Sequence, residues 1–201
     1  GCIQCMGSVR RNHLKVCRTK RKMARVVTFI DSGLHNCRVT SKASTGMIQF
    51  VNQTPVDWGA WKQATVETAT YSSEFVAARM GVDKTIDLQY TLRAMGVPLE
   101  EPSWMLGDNQ SVVTSSTIPH STMSKRWVAL SYHRVRCMIA HGFIRFCHVD
   151  TKNNVSDVMT KALGYTSMWP FIQPLLFWRG DTNQPLIPSE KESPVSTDIG
   201  E

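Results

Sequence analysis

No run in the 201-residue sequence approaches the roughly 18 apolar residues that a membrane span requires. The first thirty residues contain no acid and no apolar segment of the kind that forms the centre of a signal peptide, so nothing in them directs the chain to the secretory route. Cysteine is sparse. Cys2, Cys5, Cys17, Cys37, Cys137 and Cys147 do not make the dense framework of a small secreted domain, and reduced thiols in a cytosolic setting are expected. Position 1 is Gly and not Met, so the chain is expected to begin inside a longer product.

What is present is an ordinary share of aliphatic and aromatic residues, on a chain long enough for one domain with a sizeable core. The net charge of +7 is unevenly placed. Arg10, Arg11, Lys15, Arg18, Lys20, Arg21, Lys22 and Arg25 give residues 1–30 a charge of +8, which leaves the remainder at −1. A basic arm over residues 1–24 favours polyanions, nucleic acid foremost; the alternative is a solvated leader without a partner. Cys2, Cys5, His13 and Cys17 could in principle hold zinc, but their spacing departs from the short zinc knuckle, and a frayed polar leader is the expected state.

From Arg25 the pattern changes. Val26–Ile30 is a β-branched and aromatic run that ends at Asp31-Ser32-Gly33, reading as a strand that delivers an acid and then turns. Thr45–Val51 and Pro55–Trp61 read as two further strands in an antiparallel meander. Residues 66–95 lack proline, and Phe75, Ala78, Val82, Ile86 and Met95 fall near one helical stripe stopped by Gly96-Val97-Pro98. Glu74 lies beside that stripe, where it is either surface charge or an acid looking into the sheet edge.

Pro98–Pro102 reads as a link into a strand around Trp104, which ends at Asp108 and is followed at once by Asn109, Gln110 and Ser111. Asp108 is either a functional acid at a strand's C-terminal edge or the N-cap of a helix over Asn109–Thr117. Ser124–Ala140 reads as an amphipathic helix, Phe143–Val149 as a fifth strand, and Asn154–Leu163 as a helix that carries Asp157 near its start. Residues 165–179 are apolar without an evident place to pack. Residues 180–201, with Pro185, Pro188 and Pro194 among polar residues, read as disordered.

The order β-β-β-α-β-α-α-β-α, with right-handed crossovers, makes the first and fourth strands neighbours in a mixed five-stranded sheet and brings Asp31 and Asp108 side by side. Carboxylates gathered that closely need a compensating charge, and oxygen-only ligands point to Mg²⁺ or Mn²⁺.

The chain resembles the ribonuclease H domain of Ty1/copia-type retrotransposon polyproteins. The segments that carry the likeness are Phe29-Ile30-Asp31-Ser32, Ser44-Thr45-Gly46, Trp58 with Lys62–Val66, Ser72–Ala77, Gly107–Ser111, Tyr132-His133 with Arg136, and Val155–Lys161, in that order. They fall within a domain of residues 25–164. The resemblance implies an RNase H-like α/β fold, with three antiparallel strands followed by two parallel ones and flanking helices. It implies hydrolysis of the RNA strand of an RNA·DNA hybrid beside a reverse transcriptase module of the same polyprotein. The location implied is cytoplasmic, in a virus-like particle if the element is active. It also implies that Asp31, Glu74, Asp108 and Asp157 hold two Mg²⁺ or Mn²⁺ ions, with Asp31 bridging, Glu74 and Asp108 completing one ion and Asp157 holding the other. Ser32, Asn109 and Gln110 become candidates for contacts to 2′-hydroxyls. Lys62, Lys125, Arg126 and Arg136 become candidates for contacts to phosphates.

Many members of that family follow the first acid with Ala-Asp-Trp, where this chain has Ser32-Gly33-Leu34. His141 and His148 lie near the region of the family's auxiliary histidine, and neither is given a role; His133 is expected to pack or bond locally. The rival readings are a relic that binds nucleic acid or merely packs, and a different nuclease or transposase on the same fold.

Overall fold

The computed structural model describes residues 23–34, 39–123 and 126–176. The candidate zinc residues, Lys125, nearly all of the basic arm and the tail from residue 180 lie outside that set. The chain divides into two compact units, 1–162 and 163–201.

In the first unit, β1 (Ala24–Gly33), β2 (Ser44–Val51) and β3 (Thr54–Lys62) form the meander expected from their alternating, β-branched runs. β4 (Leu99–Gly107) and β5 (Ile144–His148) extend the sheet on the other side of β1, giving the order β3-β2-β1-β4-β5. β1 runs antiparallel to β2 and parallel to β4, and β4 runs parallel to β5. The five-stranded mixed sheet is the one anticipated from the sequence.

Between β3 and β4 lies the long helix α1 (Thr70–Ala94). Its buried Phe75, Ala78, Val82 and Ile86 pack on Ile30, Met47 and Met105 of the sheet. Gly81 brings α1 close, since a Cβ there would sit 2.6 Å from the Ile30 side chain. Met95, which the sequence pattern places on the buried stripe, is the helix's C-cap and is 71 % exposed. The chain turns there at Gly96, whose φ of +76° favours a residue without a Cβ. Two shorter helices, α2 (Gln110–Thr117) and α3 (Ala129–Ala140), complete this layer through Val112, Val113, Tyr132 and Val135. A smaller apolar cluster of Val27, Leu106, Cys147 and Val149 covers part of the opposite face.

Polar groups are threaded through the contact between α1 and the sheet. The Thr85 hydroxyl donates to the Gly81 carbonyl (2.7 Å), so the Thr28 hydroxyl donates to Thr85 (2.7 Å), and the Gln49 amide donates to both threonines at 3.0 and 3.3 Å. All three side chains are buried.

Several boundaries differ from the sequence reading. Pro98–Pro102 is not simply a link: Leu99 and Glu100 already pair with Ala24 and Arg25. An irregularity in the pairing then carries β4 past Pro102, which has no N–H to give to a ladder. Within the described part of the helix expected over Ser124–Ala140, Arg126–Val128 form a 3₁₀ turn and the chain becomes α-helical at Ala129. The largest correction concerns Asn154–Leu163, where the helix α4 spans only Asp157–Thr160. Asn154 has an extended backbone (φ −82°, ψ 99°), and its side chain is occupied by the Ile30 carbonyl and by Ser156; Lys161 is extended again.

In the second unit, residues 165–176, which the sequence left unassigned, form the helix α5 (Tyr165–Leu176). Tyr165 and Trp169 stack along it with ring centroids 5.5 Å apart. Among the described residues no helix is long and apolar enough to cross a membrane.

Candidate metal centre

The parallel pairing of β1 with β4 sets Ile30 opposite Gly107, so Asp31 and Asp108 leave the same sheet rim side by side. Glu74, in the first turns of α1, reaches that rim from the helix layer and is only 5 % exposed. One carboxylate oxygen from each of Asp31, Glu74 and Asp108 lies within 4.8 Å of the others. Asp157, at the start of α4, borders the group, with its Oδ2 2.9 Å from the Lys161 ammonium. That ammonium is 3.8 Å from Asp31 Oδ1. The structure therefore brings three of the four sequence-nominated acids together and pairs the fourth with a lysine.

Neighbouring groups fix Asp31 and Asp108. Thr160 Oγ1 donates to Asp31 Oδ2. Asp108 Oδ2 accepts from the Thr151 hydroxyl at 3.1 Å, while its main-chain carbonyl is 2.9 Å from His148 Nε2. Next to Glu74, the Gln63 amide donates to Thr45 Oγ1 (3.0 Å) and to the Ser73 carbonyl (2.9 Å), tying the start of α1 to the sheet. Gly46 faces Asp31 across the β1–β2 ladder, on the side of the sheet away from α1. A Cβ at Gly46 would lie 2.7 Å from Thr160 Cγ2 and 2.8 Å from Met159 Cβ, so its bare backbone is what lets α4 sit against β2.

The cluster is short of positive charge. Burial, followed by the fields of Asp31 and Asp108, pushes the Glu74 carboxyl up to about 9. Burial also raises Asp31, partly offset by the Thr160 hydrogen bond and by Lys161, and it raises Asp157 against the hydrogen bond from Lys161. Lys161 is held above its ordinary value by Asp157 and Asp31, although burial works the other way. Asp157 Oδ1 and Ser32 Oγ are buried with no hydrogen-bond partner among the described residues. An all-oxygen donor set, excess negative charge and orphaned oxygens together fit a hard divalent cation.

The other nominated residues separate into groups. Ser32, Asn109 and Gln110 line the same cavity as Asp31, Glu74 and Asp108. The cap of α2 is Asn109, whose Oδ1 accepts from the main-chain N–H groups of Ser111 (3.1 Å) and Val112 (3.2 Å). Asp108 is thereby released from the capping role that the sequence left open. Lys62 lies exposed at the end of β3, and Arg126 is exposed in the turn before α3. Arg136, nominated for a phosphate, is engaged elsewhere: its guanidinium donates to the carbonyls of Ser115, Ile118 and Pro119 at 2.7–2.8 Å and lies over the Tyr132 ring. It closes the C-terminal end of α2, whose last carbonyls have no helical partner.

The sequence reading gave no role to Thr160, Lys161, Thr151 or His148. Of these only Lys161 carried a signal, the four-residue step from Asp157 that places an acid and a base on one helical face.

No family model matches the chain. It is 26 % identical over 134 residues to the retrovirus-related Pol polyprotein from transposon RE2 of Arabidopsis thaliana, and 25 % identical to that from transposon RE1 of the same plant. Each match takes in 64 % of this chain but 9 % of the relative's length. Among solved structures, the N-terminal RNase H domain of a Mycobacterium tuberculosis protein superposes with a TM-score of 0.51 at 16 % identity, covering 75 % of this chain and 97 % of that one. RNase H1 of Halobacterium salinarum gives 0.52 at 15 % identity, covering 67 % and 93 %. LC11-RNase H1, solved in complex with an RNA/DNA hybrid, gives 0.52 at 12 % identity over 67 % and 93 %. At these identities the structures speak for the fold alone. The chain thus has the RNase H-like fold, and its sequence relatives are the retrovirus-related Pol polyproteins of transposons.

Proposed function

We propose that the chain is the ribonuclease H module of a copia-type retrotransposon polyprotein and hydrolyses the RNA strand of an RNA·DNA hybrid. The observation that carries this reading is the convergence of Asp31, Glu74 and Asp108 at one sheet rim, with Asp157 at its border, in a relative of transposon Pol polyproteins. Asp31, Glu74 and Asp108 would hold Mg²⁺ or Mn²⁺, and Asp157 would extend the donor set toward a second ion. Bound divalent cations supply activation of a water and neutralisation of charge on a phosphodiester.

The chain's own residues do the positioning. Thr160 fixes the Asp31 carboxylate, and Thr151 and His148 fix Asp108, so the donor oxygens are aimed before a ligand arrives. Asn109 spends its carbonyl oxygen on the helix cap and offers its NH₂ group to a ribose hydroxyl, with Gln110 and Ser32 beside it. Lys62, Lys125 and Arg126 are the proposed phosphate contacts. The hybrid complex of LC11-RNase H1 supports the choice of substrate, and the Pol polyprotein relatives support a place in a longer polyprotein, in which a reverse transcriptase is the proposed neighbouring module.

The test is cleavage of a labelled hybrid, compared with duplex DNA and single strands, in Mg²⁺ and in Mn²⁺. RNA cleavage confined to the hybrid is expected, and Asp31→Asn or Asp108→Asn should lower it by about a hundred- to a thousandfold, the scale on which active-site electrostatics act. Equal cleavage by either variant refutes the proposal, and acid-independent binding of the hybrid without cleavage identifies a relic.

A further inference from the structure

Lys161 stands inside the acid cluster. Its ammonium lies 2.9 Å from Asp157 Oδ2 and 3.8 Å from Asp31 Oδ1, and its side chain lines the same cavity as Asp31, Glu74 and Asp108. The placement follows from the backbone. Asp157 opens α4 and Lys161 caps it, so the four-residue step stacks the two side chains on one face, while the Gly46 contact fixes α4 against β2 next to Asp31. Asp31 and Asp157 are both nearly buried, whereas Lys161 remains 38 % exposed along its side chain, so its head group can leave the cluster toward solvent without unfolding α4.

A cation near both Asp31 and Asp157 has the location expected of the second divalent ion in the reading above, on which this inference rests. Two positive centres held by the same two carboxylates at contact distance repel one another strongly. The convergence of Asp31, Glu74 and Asp108, whose oxygens lie within 4.8 Å of one another, is by contrast a donor set to which Asp157 does not belong.

We infer that Lys161 is a built-in counter-ion that makes metal loading stepwise: one divalent ion enters at Asp31, Glu74 and Asp108 with the lysine in place, and a second reaches Asp157 only by displacing the Lys161 ammonium. Lys161 is on this view a positioning residue. It keeps Asp157 and Asp31 ordered while the second place is vacant, and it weakens that place relative to the first. No covalent step is involved.

The experiment is Mn²⁺ titration of the whole chain at fixed pH and ionic strength, read by calorimetry and by the loss of free-ion paramagnetic signal. It compares the unaltered protein with Lys161→Met, which keeps the unbranched apolar stem and removes the ammonium, and Lys161→Arg, which keeps its charge. The unaltered protein should bind two ions in separate steps. Lys161→Met should tighten the weaker step by at least about tenfold and move the stronger one by less than about threefold, while Lys161→Arg should leave the two steps apart. A weaker step that is unchanged or further weakened in folded Lys161→Met overturns the inference.

A measurement on the unaltered chain guards against a variant that does not fold. With ¹³Cε-labelled lysine and Mg²⁺, the Lys161 resonance, assigned through Lys161→Arg, should move along the weaker isotherm. Movement along the stronger one, or none at all, overturns the inference. Failure of the functional reading looks different, since it would leave the unaltered protein with no metal binding that Asp31→Asn abolishes.

Discussion

Replacing Glu74 with glutamine should stabilise the metal-free protein and flatten its response to pH. Glu74 is buried between two other acids, and its carboxyl is pushed from 4.5 up to about 9. In the unfolded chain it ionises near 4.5, so between these two values the folded state binds the extra proton. Stability contributed by the protonated group is therefore complete below about 4.5 and declines as pH rises toward 9. One proton's worth of this linkage is about 1.4 kcal/mol per pH unit, which amounts to about 3 kcal/mol by pH 7. Glutamine has the shape of the protonated acid and no proton to lose. Glu74→Gln should then melt about 6–12 °C higher than the unaltered chain at pH 7 in the presence of a chelator, the usual equivalence for a domain of this size. The check is a set of thermal or denaturant unfolding curves at pH 5, 7 and 8.5. The two proteins should converge at pH 5 and separate progressively above it, with some slope remaining in the variant because Asp31 and Asp157 are raised as well. Parallel curves across this range would show that Glu74 is ionised in the folded chain and would refute the electrostatic account. The same argument makes metal binding release protons near neutral pH, about one fewer in Glu74→Gln, as calorimetry in buffers of different ionisation enthalpy would reveal.

Gly46→Ala should lose about 1–3 kcal/mol of stability and weaken Mn²⁺ binding together, because the new methyl must push α4, with Asp157 and Thr160, away from β2. An unaltered Mn²⁺ titration in a destabilised Gly46→Ala would separate α4 from the centre. Arg136→Ala should destabilise by about 1–3 kcal/mol through the three carbonyls it leaves unpaired. It should leave the slope of hybrid affinity against salt concentration where it was, whereas loss of a phosphate ligand would reduce that slope by about one.

The strand order and the pairing of Asp31 with Asp108 were legible because both depend on chain topology, and right-handed crossovers leave β1 and β4 few alternatives. The stripe of α1 was legible for the same kind of reason, since periodicity survives in the sequence. Features set by a single contact were hidden. Nothing in Asn154–Leu163 announces that Asn154 will bond the Ile30 carbonyl and hold the helix back to Asp157. Arg136 looked like any exposed base until the end of α2 was seen to lie within its reach. Glu74 was ambiguous because a glutamate beside an apolar stripe is ordinarily solvated, and only the neighbouring acids at the rim distinguish it.

The knot of Thr28, Gln49 and Thr85 bears on how such a chain can diverge. A helix held to a sheet by methyl groups alone can slip along its axis at small penalty, one aliphatic contact standing in for another. Three hydrogen-bonding groups in a dry interface have one setting, and Glu74 sits about three turns upstream of it on the same rigid rod. The peg thus indexes the helix at a distance from the rim. Homologous chains should exchange these three positions as a set, and a chimera that imports α1 without its matching threonine and glutamine should deliver its carboxylate out of step.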